Sequence, residues 1–330
     1  MFTKLDVKHA EDQLLSPCAM NTHNTPMMTS TAPMSTTDRC AACDRVSANL
    51  KTCSACKMAK YCGVECQRKH RSAHREACEK TRLFRDPPAP KDCIVCSIML
   101  PEKDHRYFPC CGKTVCHGCL VQLHEHGHET CPFCRRQVGT PEEEFEKLKS
   151  RADQGDAIAI GAIGLLYEKG GFGVEQNMEM AIQLISRAAR LGRPECHYKL
   201  GIMFKQGQGV EQDQDKYYYH MKESAILGNA AARFLLATLN WERGKRSQAM
   251  THLRIAVKNG SKDALDMIEE LVQLKWVGTN EYESAKLAYH EYTVRVGSDA
   301  RNRANELLDQ RRIKRGERRS RNNSILPIAD

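Results

Sequence analysis

Between residues 40 and 134 cysteine and histidine recur in close pairs, and no other feature constrains the possible folds of this chain as much. The first block reads Cys40-x2-Cys43-x9-Cys53-x2-Cys56-x5-Cys62-x3-Cys66-x7-His74-x3-Cys78, and the second Cys93-x2-Cys96-x13-Cys110-Cys111-x4-Cys116-x2-Cys119-x11-Cys131-x2-Cys134. Zinc takes four tetrahedral thiolate or imidazole ligands, and two ligands two or three residues apart reach one ion from a tight turn or a helix face. Each block offers eight such ligands, so each is expected to hold two ions, four in the chain. Units this small can draw their folding energy from the metal. Of the 17 cysteines, Cys18 and Cys196 fall outside the scheme, and neither is assigned any chemistry.

In a secreted chain the same cysteines would read as a disulfide framework. Residues 1–30 hold no apolar run that suits a signal peptide, so the thiols are expected to stay reduced and the protein to be intracellular, cytoplasmic or nuclear. No segment approaches the roughly 18 consecutive apolar residues of a membrane helix, so a soluble protein without membrane attachment is expected. The net charge of +9 is uneven: residues 39–85 hold 12 Lys/Arg against 4 Asp/Glu, and residues 301–321 hold 9 against 3. These segments read as solvated basic faces, with an acidic partner or nucleic acid as the alternative.

Residues 1–38, rich in Met, Thr, Ser and Pro without periodicity, read as a disordered lead. The two cysteine modules occupy 39–80 and 92–138, separated by a linker over 81–91 in which Pro87, Pro88 and Pro90 favour extended chain. From Pro141 the text turns to Ala, Leu, Glu and Lys at helical spacing, and a repeat becomes visible. Gly-Val-Glu-Gln at 173–176 returns at 209–212, and Ala189, Leu191 and Gly192 return as Ala225, Leu227 and Gly228, both at an offset of 36 residues. Each unit predicts two amphipathic helices, 156–169 with 178–191 and 194–205 with 214–227. A shorter third unit spans 229–260, with Trp241 to Gly244 in place of the longer loop. Gly161, Gly164 and Gly201 let paired helices approach closely.

Over 141–275 this pattern, Leu-Gly-x-x-Tyr/Phe followed by Gly-x-Gly-Val and Ala-x-x-Gly, resembles Sel-one-like repeats, relatives of the tetratricopeptide class. The resemblance implies a curved solenoid of stacked helix pairs whose concave side holds a protein partner. An ordinary helical bundle is the alternative. C-terminal helices over 276–310 and a basic disordered tail over 311–330 complete the expected organisation.

The first cysteine block, with its Tyr61-Cys62 and Cys66-Gln67 steps, resembles a MYND finger. The interleaved topology of that family implies one zinc on Cys40, Cys43, Cys62 and Cys66 and another on Cys53, Cys56, His74 and Cys78. Arg71 stands where MYND fingers carry the Trp of a groove for proline-containing peptides, so a structural zinc knob stands beside a peptide reader. MYND modules also occur in lysine methyltransferases, but no segment resembles that catalytic domain. The second block, with Cys-Gly-x3-Cys-x2-Cys at 111–119 and Cys-Pro-Phe-Cys-Arg at 131–135, resembles a RING domain. This implies one zinc on Cys93, Cys96, Cys116 and Cys119 and a second on Cys110, Cys111, Cys131 and Cys134. Lys113 occupies the histidine slot of common RINGs, and an ammonium cannot coordinate. The adjacency of Cys110 and Cys111 leaves open that His105 or His117 replaces one of them.

The expected fold class is therefore multidomain: two small cross-braced zinc modules, MYND and RING, followed by an all-α helical-repeat solenoid. The RING resemblance implies docking of a ubiquitin-conjugating enzyme charged with ubiquitin, whose thioester is oriented for attack, so the contribution is positioning. By position, Val95, Leu123, Pro132 and Phe133 supply the apolar contact and Arg135 the cation that bridges enzyme and ubiquitin. The expected function is RING-type ubiquitin-protein transfer, with protein targets recruited through the MYND finger and the repeats. A non-enzymatic interaction scaffold is the alternative. Nucleic acid ranks last as a partner, because no aromatic residues interleave the charges from Arg311 to Arg319.

Overall fold

The computed structural model describes residues 39–47, 49–100, 105–125 and 130–314, so the expectations for 1–38 and for the tail beyond Lys314 lie outside the described residues. Two compact units divide between Pro87 and Pro88, inside the proline segment.

The first unit contains a short antiparallel pair, β1 (Lys51–Thr52) and β2 (Lys60–Tyr61), in the register Lys51↔Tyr61 and Thr52↔Lys60. Two helices follow, α1 (Val64–Lys69) and α2 (Arg71–Phe84). Its buried cluster is Cys40, Cys53, Cys56, Tyr61 and Cys78, so one aromatic and the cysteines themselves make the core. The apolar area is too small to hold such a fold alone. Helix α2 runs four residues into the segment read as linker from 81, because Leu83, 8 % exposed, still has a buried face to pack.

The second unit opens with a hairpin, β3 (His105–Phe108) and β4 (Lys113–Cys116), in which His105 faces Cys116 and Phe108 faces Lys113, followed by α3 (His117–Glu125). Next come α4 (Pro141–Asp153), α5 (Ala157–Lys169), α6 (Met178–Arg190), α7 (Pro194–Gln206), α8 (Gln214–Ile226), α9 (Ala230–Glu242) and α10 (Arg246–Lys258), each 13 residues long. Then follow α11 (Lys262–Gln273), α12 (Thr279–Val296) and α13 (Asp299–Lys314).

Side-chain caps set several of these starts. Asp156, Asn177, Asp213, Asn229 and Ser261 each accept from amides of the first helical turn, so the helix proper begins one residue after the cap. Trp241 and Glu242, expected in the loop of the third unit, are the last residues of α9; the turn is Arg243, Gly244 and Lys245, with Gly244 at φ 70°. Helix α13 continues past 310 to Lys314.

Helices pair as α5 with α6, α7 with α8 and α9 with α10, and successive pairs meet through α6 against α7 and α8 against α9. This nearest-neighbour stacking is that of an all-helical repeat solenoid and not of a bundle with a common centre. At Gly164 α5 and α6 approach closely: an added Cβ would lie 2.8 Å from Ile185 Cγ1 and 3.1 Å from its backbone nitrogen. Helix α13 leaves this order and packs against α3, back at the cysteine module. Among the described residues no helix is long and apolar enough to cross a membrane.

Candidate metal centres

Four turns with the spacing Cys-x2-Cys share one backbone geometry. In each, the amide four residues after the first cysteine bonds back to that cysteine's carbonyl: Asp44 to Cys40, Lys57 to Cys53, Ser97 to Cys93 and Arg135 to Cys131, at 2.8–2.9 Å. The first cysteine's own amide bonds forward to Arg45, Ala59, Ile98 and Arg136 respectively, at 2.7–2.9 Å. The residue after the second cysteine is left-handed in all four, with φ of 56°, 60°, 56° and 57° at Asp44, Lys57, Ser97 and Arg135. Among the described residues only Phe172 and Lys275 otherwise combine a side chain with positive φ. The turn costs backbone strain, which persists where the surroundings over-determine it.

These turns meet partners from helices α1, α2 and α3, from strand β4, from the hairpin turn and, for Cys62, from the residue after β2. Cys40 and Cys43 converge with Cys62 and Cys66, and Cys53 and Cys56 with His74 and Cys78, one pair of each set lying between the pairs of the other. In the second module Cys93 and Cys96 converge with Cys116 and Cys119, and Cys131 and Cys134 with Cys110 and Cys111. Within each tetrad the ligand atoms lie within 4.8 Å of one another. Measured separations are 3.6 Å for Cys43 to Cys62, 3.8 Å for Cys53 to Cys78, 3.9 Å for Cys93 to Cys119, 3.6 Å for Cys111 to Cys131 and 3.4 Å for Cys110 to Cys134. Four sulfurs on a tetrahedral zinc at about 2.3 Å stand about 3.8 Å apart. The donor set and the spacing fit zinc, in four sites. Loading the first module with two Zn2+ and seven thiolates removes three of the eight positive charges over 39–85, so its basic face persists.

The adjacent cysteines reach one site because the hairpin turns sharply between β3 and β4. Phe108 O accepts from both Cys111 N, 3.2 Å, and Gly112 N, 2.8 Å, and Gly112 sits at φ 70°. Neither His105 nor His117 joins the tetrad. Lys113, in the histidine slot, instead places its ammonium 4.8 Å from the Phe133 ring centre. Burial works against ionising Cys93, but amides of Cys116, Cys96 and Val95 outweigh it and bring the thiol down to about 6. Cys131 is lowered in the same way: burial opposes, and the amides of Cys134 and Phe133 prevail. Such N–H···S contacts prepare a thiolate for a metal.

The residues expected at the enzyme contact are differently placed. Val95, 49 % exposed, and Arg135 lie on the surface, the first inside the Cys93 knuckle and the second at the left-handed end of the Cys131 knuckle. Leu123 on α3 and Pro132 are half-buried. Phe133 is also half-buried, edge-on to Phe108 at 6.0 Å.

Several residues that sequence reading did not single out tie the second module to the helices. Tyr107 donates from its hydroxyl to Asp156 Oδ2 at 2.6 Å while Oδ1 of the same carboxylate caps α5. Burial, then that carboxylate, push the Tyr107 phenol above its ordinary value. Arg151 donates to Pro109 O at 3.3 Å. Arg301, counted among the cations of the basic C-terminal run, is only 6 % exposed and donates to Met99 O and Ile98 O beside the Cys93 knuckle. A cleft of about 1030 Å³ opens where hairpin, α3, α4 and α13 meet, lined by Arg106, His117, Leu120, Leu148, Phe172 and Leu307 among others.

Residues 40–78 match the MYND finger family, and 157–192 and 194–229 match the Sel1 repeat. The chain carries a MYND finger and Sel1 repeats. Curated relatives include chitin synthase regulatory factor 4 of Schizosaccharomyces pombe, 29 % identical over 153 residues covering 45 % of this chain and 24 % of that protein. Another is the ERAD-associated E3 ubiquitin-protein ligase component HRD3B of Arabidopsis thaliana, 26 % identical over 123 residues covering 28 % of this chain and 20 % of that one. The chain thus matches a quarter or less of either relative's length. Among solved structures, a Sel1 repeat protein from Oxalobacter formigenes is 29 % identical with a TM-score of 0.36, over 38 % of this chain and 98 % of its own. The protective antigen c5321 of uropathogenic Escherichia coli is 20 % identical with a TM-score of 0.37, over 58 % and 47 %.

Proposed function

We propose that this protein is a zinc-dependent adaptor of ubiquitin transfer, in which residues 92–138 form a RING-type module that docks a charged ubiquitin-conjugating enzyme. The MYND finger and the repeats then recruit the target. The MYND finger and Sel1 repeats support a protein-interaction scaffold; the ubiquitin step rests on the second module. The observation that carries it is the second interleaved pair of tetrads, which presents Val95 on one knuckle and Arg135 on another at the surface. The Arabidopsis relative, by its name a component of a ubiquitin ligase, agrees with this reading. The ligand set is the sixteen residues of the four tetrads.

The test is discharge of ubiquitin from a panel of charged conjugating enzymes to free lysine, in the presence of the zinc-loaded full chain. At least one enzyme is expected to respond, and Arg135→Ala to slow that response about tenfold, the size of one lost charge-assisted hydrogen bond. No discharge from any enzyme, with zinc retained, would leave the second reading, a non-enzymatic scaffold. That reading draws on Phe133, which is engaged by Phe108 and Lys113 within its own module.

A further inference from the structure

Arg301 lies near the start of α13 and is almost wholly buried. One terminal nitrogen of its guanidinium donates to Met99 O and to Val296 O, each at 2.6 Å. The other donates to Ile98 O at 3.0 Å and approaches Cys96 Sγ at 3.6 Å. Arg301 Nε is buried with no partner. The acceptors are neutral carbonyls and one sulfur, with no carboxylate among them, yet a buried cation needs a compensating charge. Four thiolates around Zn2+ carry two net negative charges, and the tetrad to which Cys96 belongs is such a set. The planar fork of arginine can serve backbone and sulfur at once, which a lysine ammonium at one point cannot.

Gly118 makes this approach possible. A Cβ there would lie 2.7 Å from Arg301 N and 2.8 Å from the carbonyl carbon of Ala300, so any larger residue on α3 would lift α13 away. Gly118 is not among the positive-φ glycines, so its role is proximity and not backbone freedom.

We propose that Arg301 is an outer-sphere ligand of the zinc held by Cys93, Cys96, Cys116 and Cys119, and that α13 is thereby part of that metal centre, 205 residues along the chain from Cys96. The inference rests on zinc in this tetrad and is independent of ubiquitin transfer. Arg301 positions and neutralises the thiolates, so it slows the loss of the ion.

The full chain is compared with R301K, R301Q and G118A, all loaded with zinc, by metal content and by the time course of release to a chromophoric chelator. Each is expected to hold four zincs. In R301Q one of the four should leave tenfold or more faster, the usual scale for loss of an outer-shell partner, with the other three unchanged. R301K should fall between, and G118A should accelerate the same ion with the guanidinium still present. A role in packing alone is separated by cobalt substitution: removing an N–H···S donor and its charge moves the thiolate-to-cobalt charge-transfer band of one site to lower energy in R301Q, and less in R301K. Wild-type release with an unmoved band in R301Q overturns the proposal. If R301Q loses all four ions together, the band and release of R301K decide it by the same criterion.

Discussion

In the module over 39–84 the hydrophobic cluster is Tyr61 with the ligand cysteines Cys40, Cys53, Cys56 and Cys78. The module over 92–138 builds the same knuckles but sends Tyr107 to Asp156 and receives Arg151 and Arg301 from the helices, three polar anchors over and above its metal sites. The difference teaches that one ligand arrangement can sit in a core made of little but its own ligands, or on a helical frame that also bonds to it through side chains.

The largest effect separates the two. Stripping zinc at neutral pH should unfold residues 39–84 outright, since structural zinc in small fingers contributes on the order of 10 kcal/mol or more. The helices α4 to α12 contain no tetrad ligand and should persist. Limited proteolysis with and without chelator reads this: rapid cleavage before Pro87 and survival of a repeat core. A MYND segment that resists protease without metal would break the comparison.

Acid probes the helical frame next. His197, His220 and His252 are buried, and burial pushes them down to about 4, 3 and 3. They stay neutral in the folded state while the unfolded chain takes up protons below about 6.5. Their contribution is therefore complete above that pH and is lost as pH falls toward 4, at about 3 kcal/mol for each histidine. Zinc also leaves in acid, so the readout must belong to the repeats. Trp241 and Trp276 serve, being the two tryptophans of the chain, stacked at 5.6 Å. A urea midpoint by tryptophan fluorescence that is flat between pH 7 and 5 would exclude this source of acid sensitivity.

A smaller effect tests whether the frame holds the second module. Asp156→Ala removes both the cap of α5 and the Tyr107 acceptor, and should cost about 2–3 kcal/mol. Tyr107→Phe removes only the link and should cost about 1–2 kcal/mol. Measured together by urea unfolding, the pair should fall short of additivity, because the shared hydrogen bond is lost once. Additive costs would mean that the bond contributes nothing to the frame.

The parts of this molecule that local chemistry dictates were legible from the sequence. Cys40 and Cys43 must lie on one turn to share an ion, and Gly192 and Gly228, at φ 87° and 109°, end helices at one repeat offset. The helix expected from Asp156 begins at Ala157 because the Asp156 side chain is spent on the cap. Trp241 stands where the longer units carry a loop, but its ring stacks on Trp276 and it belongs to the last turn of α9. What could not be read was contact across long sequence separation. Arg301 stands in a run of charges where a solvated cation is the ordinary expectation, and only the three-dimensional path returns it to Met99 and Cys96.

The finest distinction lies in the knuckles themselves. Lys57 and Ser97 hold the same left-handed position in the two modules, at φ 60° and 56°. A side chain there costs about 1 kcal/mol relative to glycine, and glycine returns most of that as entropy of the unfolded chain, so Lys57→Gly and Ser97→Gly should each gain no more than about 0.5 kcal/mol. In the first module metal binding and folding are one event, so the whole gain should move the chelator midpoint. In the second, Arg301 bonds the carbonyls of Ile98 and Met99 beside Ser97, so part of the gain falls on contacts with the helical frame and the midpoint should move less. Equal shifts at the two positions would mean that the helical frame gives the second module nothing that zinc does not already give the first.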